Sequence, residues 1–283
     1  MIYLLPASVF VLMVSVGMSL RIRELIANWR ALTWDAWLRL LLATFLIPPT
    51  VTLLLGRVLP LDLGELAGLF LVAAVPGAPL LTRNLARRGF DMQVAASYQV
   101  WSGVMTPFMI PLVVFAAAKL YSRNIWIPPR VLALQIVEKE FLPLLVGLLL
   151  MRLAPGFSTK AQGALNMIGN AVLTIVFVLL LWKLRAELKG ITPWVVVASL
   201  VVLLTSIGGV VWLLRTDVVR MRTLAVSNAN RHVGLALLLS GRYARNHHAI
   251  PVLACYAVLA AVLLVLAPKL FGLRREKAQA AGA

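Results

Sequence analysis

Nine apolar blocks, each about as long as a lipid bilayer is thick, alternate along the chain with short basic connectors. A hydrocarbon core ~30 Å thick takes about 20 residues of helix, and it holds no water to satisfy an open backbone, so blocks of this length fold as membrane-spanning helices. By that ruler the spans fall at about 2–20, 37–58, 64–86, 92–119, 131–153, 162–183, 192–214, 222–241 and 249–271. The reading is an all-α polytopic membrane protein of about nine transmembrane helices.

Composition supports this class and removes others. Hydrophobic residues make up 61% of the chain and charged residues 13%, about half the charge a soluble domain keeps. The formal charge of +17 would suit a nucleic-acid partner in a soluble protein. Here the basic residues sit in connectors such as "RIRELIANWR" and "RTDVVRMR", where topology-setting charges belong, so no nucleic-acid partner is expected. The single cysteine, Cys255, lies in the apolar block "IPVLACYAVLAAVLLVLA" and reads as a small membrane-core residue. The first block has no basic region before it and "RIR" after it, which predicts a retained helix rather than a cleaved leader. In the fifth span Glu138, Lys139 and Glu140 read as an interfacial first turn, and Trp34, Trp37, Trp126 and Trp194 as an aromatic belt.

Leaving aside Arg83 and Arg231, connectors after odd-numbered helices plus the C-terminus carry fifteen Lys and Arg, the even side ten. That bias predicts an outside N-terminus and a cytoplasmic C-terminus. No connector exceeds about 20 residues, which leaves no room for an extramembrane catalytic domain. The spans hold no His-x-x-Glu-His set, paired Asp or Gly-x-Ser-x-Gly elbow, so an enzyme is not expected. His247 and His248 read as an interfacial cluster with Arg242 and Arg245.

Two spans depart from the apolar rule. Helix 3 carries Pro76, Gly77 and Pro79 midway between Glu65 and Arg87, a composition that predicts a break at the midplane. Helix 8 is centred on "AVSNANRHVG", which places Ser227, Asn228, Asn230, Arg231 and His232 at the bilayer centre. An ionisable residue there costs ~2.5–3.5 kcal/mol on the insertion scale, so the stretch needs a buried, hydrated or ligand-filled setting. Five helices separate the two segments, so they run in opposite directions. Interrupted spans at corresponding places in opposed halves are the sequence pointer to an inverted-repeat transporter. The halves divide as 1–128 (helices 1–4, a shortened repeat) and 129–272 (helices 5–9), with 273–283 expected as a disordered cytoplasmic tail.

Several stretches together carry a resemblance: "VSVGMSLRIREL", "VAAVPGAPLLTRNLARRGFD", "TPFMIPLVV", "FLPLLVGLLL" and "SNANRHVGLALLLS". In order and spacing they resemble the bile acid:sodium symporter superfamily, as a divergent member of bacterial type. The resemblance implies a panel domain and a core domain, two broken helices crossing in the core, solute passage at the panel–core crevice and a bacterial inner-membrane location. In sodium-coupled relatives a Ser-Asn pair follows the first break, hydroxyls line the next helix, and an acid with a glutamine occupies the second break. Here the pair falls near Leu81 and Thr82, with Arg83 and Asn84 next, and the hydroxyl face is represented by Ser97, Gln99 and Ser102. Ser227 replaces the acid and Arg231 the glutamine.

No Asp or Glu lies within either break. Sodium seeks oxygen ligands, and an adjacent arginine repels it, so the residues argue against sodium coupling and no cofactor is expected. A fixed guanidinium can stand where a cation sits in relatives; proton coupling through His232 stays open. Arg83 and Arg231 lack acidic neighbours, and broken-helix N-termini present free amides, so the solute reads as a small organic anion, a carboxylate. Arg83, about 9 Å along the helix from Gly77, is equally explained by snorkelling to the interface with Arg87 and Arg88. The partners expected are the solute and the bilayer, with a homo-oligomer left open. A sodium-coupled symporter of the usual kind and a non-transporting receptor on the same fold are the alternatives.

Overall fold

The computed structural model describes residues 4–20, 22–30, 32–78, 81–121, 129–183, 185, 191–214, 216–243 and 248–273. Pro79, Trp126, His247, the tail from 274 and the side chain of Arg83 lie outside the described residues. Among those described the chain is helical throughout: α1 Leu4–Ser19, α2 Ile22–Arg30, α3 Trp34–Leu41, a π turn Leu42–Leu46, α4 Ile47–Val58, α5 Leu63–Ala74, α6 Leu81–Ala86 and α7 Met92–Tyr121. Then follow α8 Pro129–Ile136, a π turn Val137–Phe141, α9 Leu142–Leu153, α10 Pro155–Lys183, α11 Pro193–Leu213, α12 Val218–Ala229, α13 Val233–Tyr243 and α14 Ala249–Leu270.

Joined through their π turns and breaks, and with the short connector helix α2 set aside, these elements give nine rods among the described residues, one at each expected span, the sixth starting earlier than expected, at Pro155. Four of them, Trp34–Val58, Met92–Ala117, Pro193–Leu213 and Ala249–Leu270, are long and apolar enough to cross a membrane by length and composition alone. The others are interrupted, shorter or polar on one face. An all-α membrane protein is what the fold shows.

Local chemistry sets the helix starts. Asp62 accepts from the Glu65 N–H while Glu65 accepts from the Asp62 N–H, a capping box that starts α5. Thr33 caps α3 and Asp217 caps α12 in the same way, each accepting from a first-turn N–H.

The rods form two groups. In the first, α1 packs along both α9 and α10. Gly17 and Gly147 make that approach possible: a Cβ on Gly17 would lie 2.2 Å from the Leu144 carbonyl oxygen, and one on Gly147 2.1 Å from that of Val14. In the second group α5, α7, α11, α12, α13 and α14 surround two buried clusters. One is built on Leu69, Val72, Val202, Leu235 and Tyr256, the other on Phe45, Tyr98, Trp101, Val210 and Leu224. Val9, Met13 and Val16 of α1 meet Val100 of α7 and join the groups. These are the panel and the core.

Three local expectations need correcting. Glu138 and Lys139 are not in a first turn: the two turns of α8 precede them, and they occupy the π turn as a neighbouring ion pair of 2.9 Å. Trp37 turns inward, its indole N–H donating to the Trp29 carbonyl and its ring 5.4 Å from that of Trp101, whereas Trp34 stays 85% exposed as a belt residue would. The connector 22–30 is itself a helix, because Ile22, Leu25, Ile26 and Trp29 recur at helical spacing.

Candidate functional site: two helix breaks and a polar crevice

A broken helix leaves carbonyls and amides that the membrane interior cannot solvate. The helix of α5 ends at Ala74, Val75 turns extended, Gly77 takes a φ of 80° and α6 begins at Leu81. The second break follows Ala229, spans Asn230, Arg231 and His232, and ends where α13 begins at Val233. The breaks satisfy one another: the His232 N–H donates to the Val75 carbonyl at 3.0 Å and the Ala78 N–H to the Asn230 carbonyl at 3.2 Å. The two interrupted helices thus cross through a pair of backbone hydrogen bonds.

A third element supports the crossing, and its reason is covalent. In the π turn the Ile47 N–H donates to the Leu42 carbonyl. The Ala43 carbonyl then loses its usual donor, and the next residue along is Pro48, which has no N–H. The Thr44 carbonyl faces Pro48 and Pro49 and has no helical donor of either spacing. Both are taken up from the second break: Ala43 by Asn228 Nδ2 at 3.1 Å, Thr44 by Arg231 Nη1 at 2.9 Å. Asn228 also donates to the Ser206 carbonyl at 2.7 Å and accepts from the Tyr98 hydroxyl at 2.8 Å. Arg231 Nη2 donates to Ser206 Oγ at 3.2 Å, and the Tyr256 hydroxyl donates to the Ala229 carbonyl at 2.9 Å.

Arg231 is 2% exposed. Among the described residues its guanidinium meets neutral oxygens and no carboxylate, and its Nε has no partner. It stands as a tethered cation in a socket of one carbonyl and one hydroxyl.

His232, fully buried, accepts the Leu235 N–H on Nδ1 at 3.0 Å and so caps α13. A nitrogen that accepts an amide carries no proton, which places the imidazole proton on Nε2. Ser227 is fully buried with an unpartnered hydroxyl, and Asn230 Nδ2 returns to the Val226 carbonyl.

Between panel and core lies a cavity of about 370 Å³, a size typical of small-molecule sites. Ser15, Ser19, Gln162 and Asn166 line it from the panel, and Thr82, Arg87 and Gln99 from the core. The Thr82 hydroxyl donates to Gln99 Oε1 at 2.7 Å. Its lining includes no Asp or Glu.

The predicted residues therefore divide. Thr82 and Gln99 reach the cavity. Pro76, Gly77, Asn230, Arg231 and His232 lie in the breaks, Ser227 and Asn228 in the last turn of α12 before the second, and none lines the cavity. Ser102 lies under the first break, where a Cβ on Gly77 would come within 2.5 Å of its Oγ. Ser97 does not join that face: it borders a small separate pocket with Trp29 and Tyr98. Asn84 is half-buried in α6, its carbonyl accepting from Arg88. Sequence reasoning missed Ser15, Ser19, Gln162 and Asn166, and also Thr44 and Ser206. Two signals were present: amides at every fourth position, 162, 166 and 170, and the Pro48–Pro49 pair inside a spanning helix.

No individual curated protein matches the chain. The model of the sodium bile acid symporter family matches residues 6–190, which takes in the first break, the whole cavity lining and nearly all of the panel, while the second break lies beyond it. Over well more than half its length, then, the chain belongs to the sodium bile acid symporter family of membrane transporters.

Proposed function

We propose that the protein is a secondary transporter that carries a small organic anion, a carboxylate, by alternating access without sodium. The observation that carries the reading is the cavity: it lies between panel and core, is walled in part by Gln99, whose carbonyl approaches Gly77 of the first break, and is lined by hydroxyls, amides and Arg87, with no carboxylate. Arg231 supports the anion from behind. Its charge lies in a low-dielectric interior where no carboxylate among the described residues cancels it, so its field extends further than it would in water. It also removes the need for an exchangeable cation at the crossing, since the Thr44 carbonyl and Ser206 hydroxyl already hold a covalently attached one.

On this reading residues 1–128 and 129–272 are inverted repeats, the N-terminus is outside, and the cavity opens to the cytoplasm of a bacterial inner membrane. The capping role of His232 favours a carrier that does not use this residue to move protons.

The test is uptake of labelled short mono- and dicarboxylates into proteoliposomes, with and without a sodium gradient, for the native protein and Arg231→Ala. Uptake that ignores sodium and collapses in the variant is expected. Uptake driven by sodium overturns the coupling assignment, and unchanged uptake in Arg231→Ala removes that residue from the mechanism.

A further inference from the structure

The polar residues of the panel do not stop where the cavity stops. Ser158, Gln162, Asn166 and Asn170 recur every fourth position and so share one face of α10, a stripe about 18 Å long at the helical rise. On α1 the hydroxyls are Ser8, Ser15 and Ser19. Two contacts fix how the helices lie: the Ser15 hydroxyl donates to the Gln162 carbonyl at 2.8 Å, and Gly169 faces Leu12, where an added Cβ would come within 2.8 Å of Cγ. The chains therefore run antiparallel, and the same register brings Ser8 to the level of Asn170.

The two ends of this seam differ. Ser15, Ser19, Gln162 and Asn166 line the cavity at the end bearing Arg87. Towards the end bearing Asp62 the seam is closed: Ser8 is 2% exposed and Asn170 is not among the cavity's lining residues. Among the described residues two acceptor oxygens along it have no donor: Gln162 Oε1 and Asn170 Oδ1 are buried and unpartnered, while Asn170 Nδ2 is committed to the carbonyl and side-chain oxygens of Asn166 at 2.7 and 3.1 Å. Buried acceptors without donors destabilise a membrane protein, and leucine at these positions would not incur that cost.

We infer that the α1–α10 seam is the solute's track along the panel, with Ser8 and Asn170 as a second station that opens when the cavity closes. The solute it fits carries hydrogen-bond donors, hydroxyl groups above all, beside its anionic group. This rests on the alternating-access reading above, and the experiment separates the two.

In a Cys255→Ser background, Asn166→Cys and Asn170→Cys are exposed to a membrane-impermeant, anionic thiol reagent applied to either face of sealed vesicles. Asn166→Cys reacts from the Arg87 face and Asn170→Cys from the opposite face, each about tenfold or more faster than from the other side if the alternate state is a minor one. Ile168→Cys, on the exposed side of α10, stays unlabelled. Asn170→Cys that is inert from both faces, while Asn166→Cys reacts, overturns the track and leaves the carrier standing. If Asn166→Cys is inert as well, both fall. Glycerate and propionate, alike in carbon number and charge, then compete with labelling of Asn166→Cys. Two extra donors make glycerate protective at about one tenth the concentration; equal protection overturns the hydroxylated class.

Discussion

The two breaks that cross in the core are made by different chemistry. The first is made by the backbone: Pro76 lacks an N–H and Gly77 adopts a φ of 80° that other residues rarely take. The second contains neither proline nor glycine between Ala229 and Val233. It is held by side chains that reach other helices, Asn228 to Ala43, Ser206 and Tyr98, and Arg231 to Thr44 and Ser206. A break of the first kind is local and persists if its neighbours move. One of the second kind exists only with its partners, so it reports on the packing of the core.

The largest effect expected of a single change follows from that dependence. Asn228→Leu fills a similar volume but leaves the Ala43 carbonyl and the Tyr98 hydroxyl without the partner that Asn228 supplies, at about 1–3 kcal/mol for each buried group, while the Ser206 carbonyl keeps its donor within the continuous helix α11. Arg231→Met leaves the Thr44 carbonyl unpaired but also removes a buried charge that lacks a counter-ion among the described residues, which relieves its desolvation cost. The neutral asparagine should therefore lower the melting temperature in detergent more than the charged arginine does. The reverse order would mean that Arg231 has a stabilising partner beyond the oxygens that hold it.

Gly77→Ala tests the first break. A Cβ there would lie 2.5 Å from Ser102 Oγ, on a backbone conformation that costs an L-residue about 1–2 kcal/mol. The variant should lose stability and transport together. Gly77→Ala with Ser102→Ala should recover the part due to overlap and retain the part due to φ. Full recovery in the double variant would show that the left-handed backbone carries no strain at this position.

His232 links the two kinds of break, because its ring caps α13 while its backbone N–H closes the crossing. His232→Ala removes the cap, at about 1 kcal/mol, and adds the cost of the space its fully buried ring leaves. His232→Asn, a better cap by propensity, should restore most of it, read as the melting temperature of each variant. Transport with an unchanged pH profile in His232→Asn would confine the residue to structure.

The contrast also explains what could be read from residues alone. Span number, the opposed directions of the interrupted helices and the first break were legible, because hydrophobic length and Pro-Gly chemistry act locally. The position of the second break was legible too, since Arg231 has no other reason to sit in a span. Its partners were not. Ala43 and Thr44 are joined to Asn228 and Arg231 across more than 180 residues, and neither side chain signals that its carbonyl is open. Only the Pro48–Pro49 pair four and five residues on did so. The panel side of the cavity was missed for a related reason: Gln162, Asn166 and the α1 serines read as ordinary polar positions until antiparallel packing brings them together.

The smallest effect belongs to the far end of the first broken helix, where the backbone is again held by a side chain. Asp62 caps α5 and pairs with His248 at the start of α14. Burial alone would raise the pKa of its carboxyl. The hydrogen bonds from His248 and from the Glu65 and Gly64 backbone, with the His248 charge, outweigh that and hold it below the usual value of 3.8. A carboxyl lowered in the folded state adds stability that is present above the unfolded value and is lost as pH falls through the folded one. The native protein should therefore melt higher than Asp62→Asn at neutral pH, with the gap closing as pH falls below 3.8. With 41% of the Asp62 side chain exposed, solvent screens much of the interaction, so the gap should be less than those above. Equal melting temperatures at neutral pH would show that the capping geometry, which asparagine retains, and not the carboxylate charge, anchors this end of the helix.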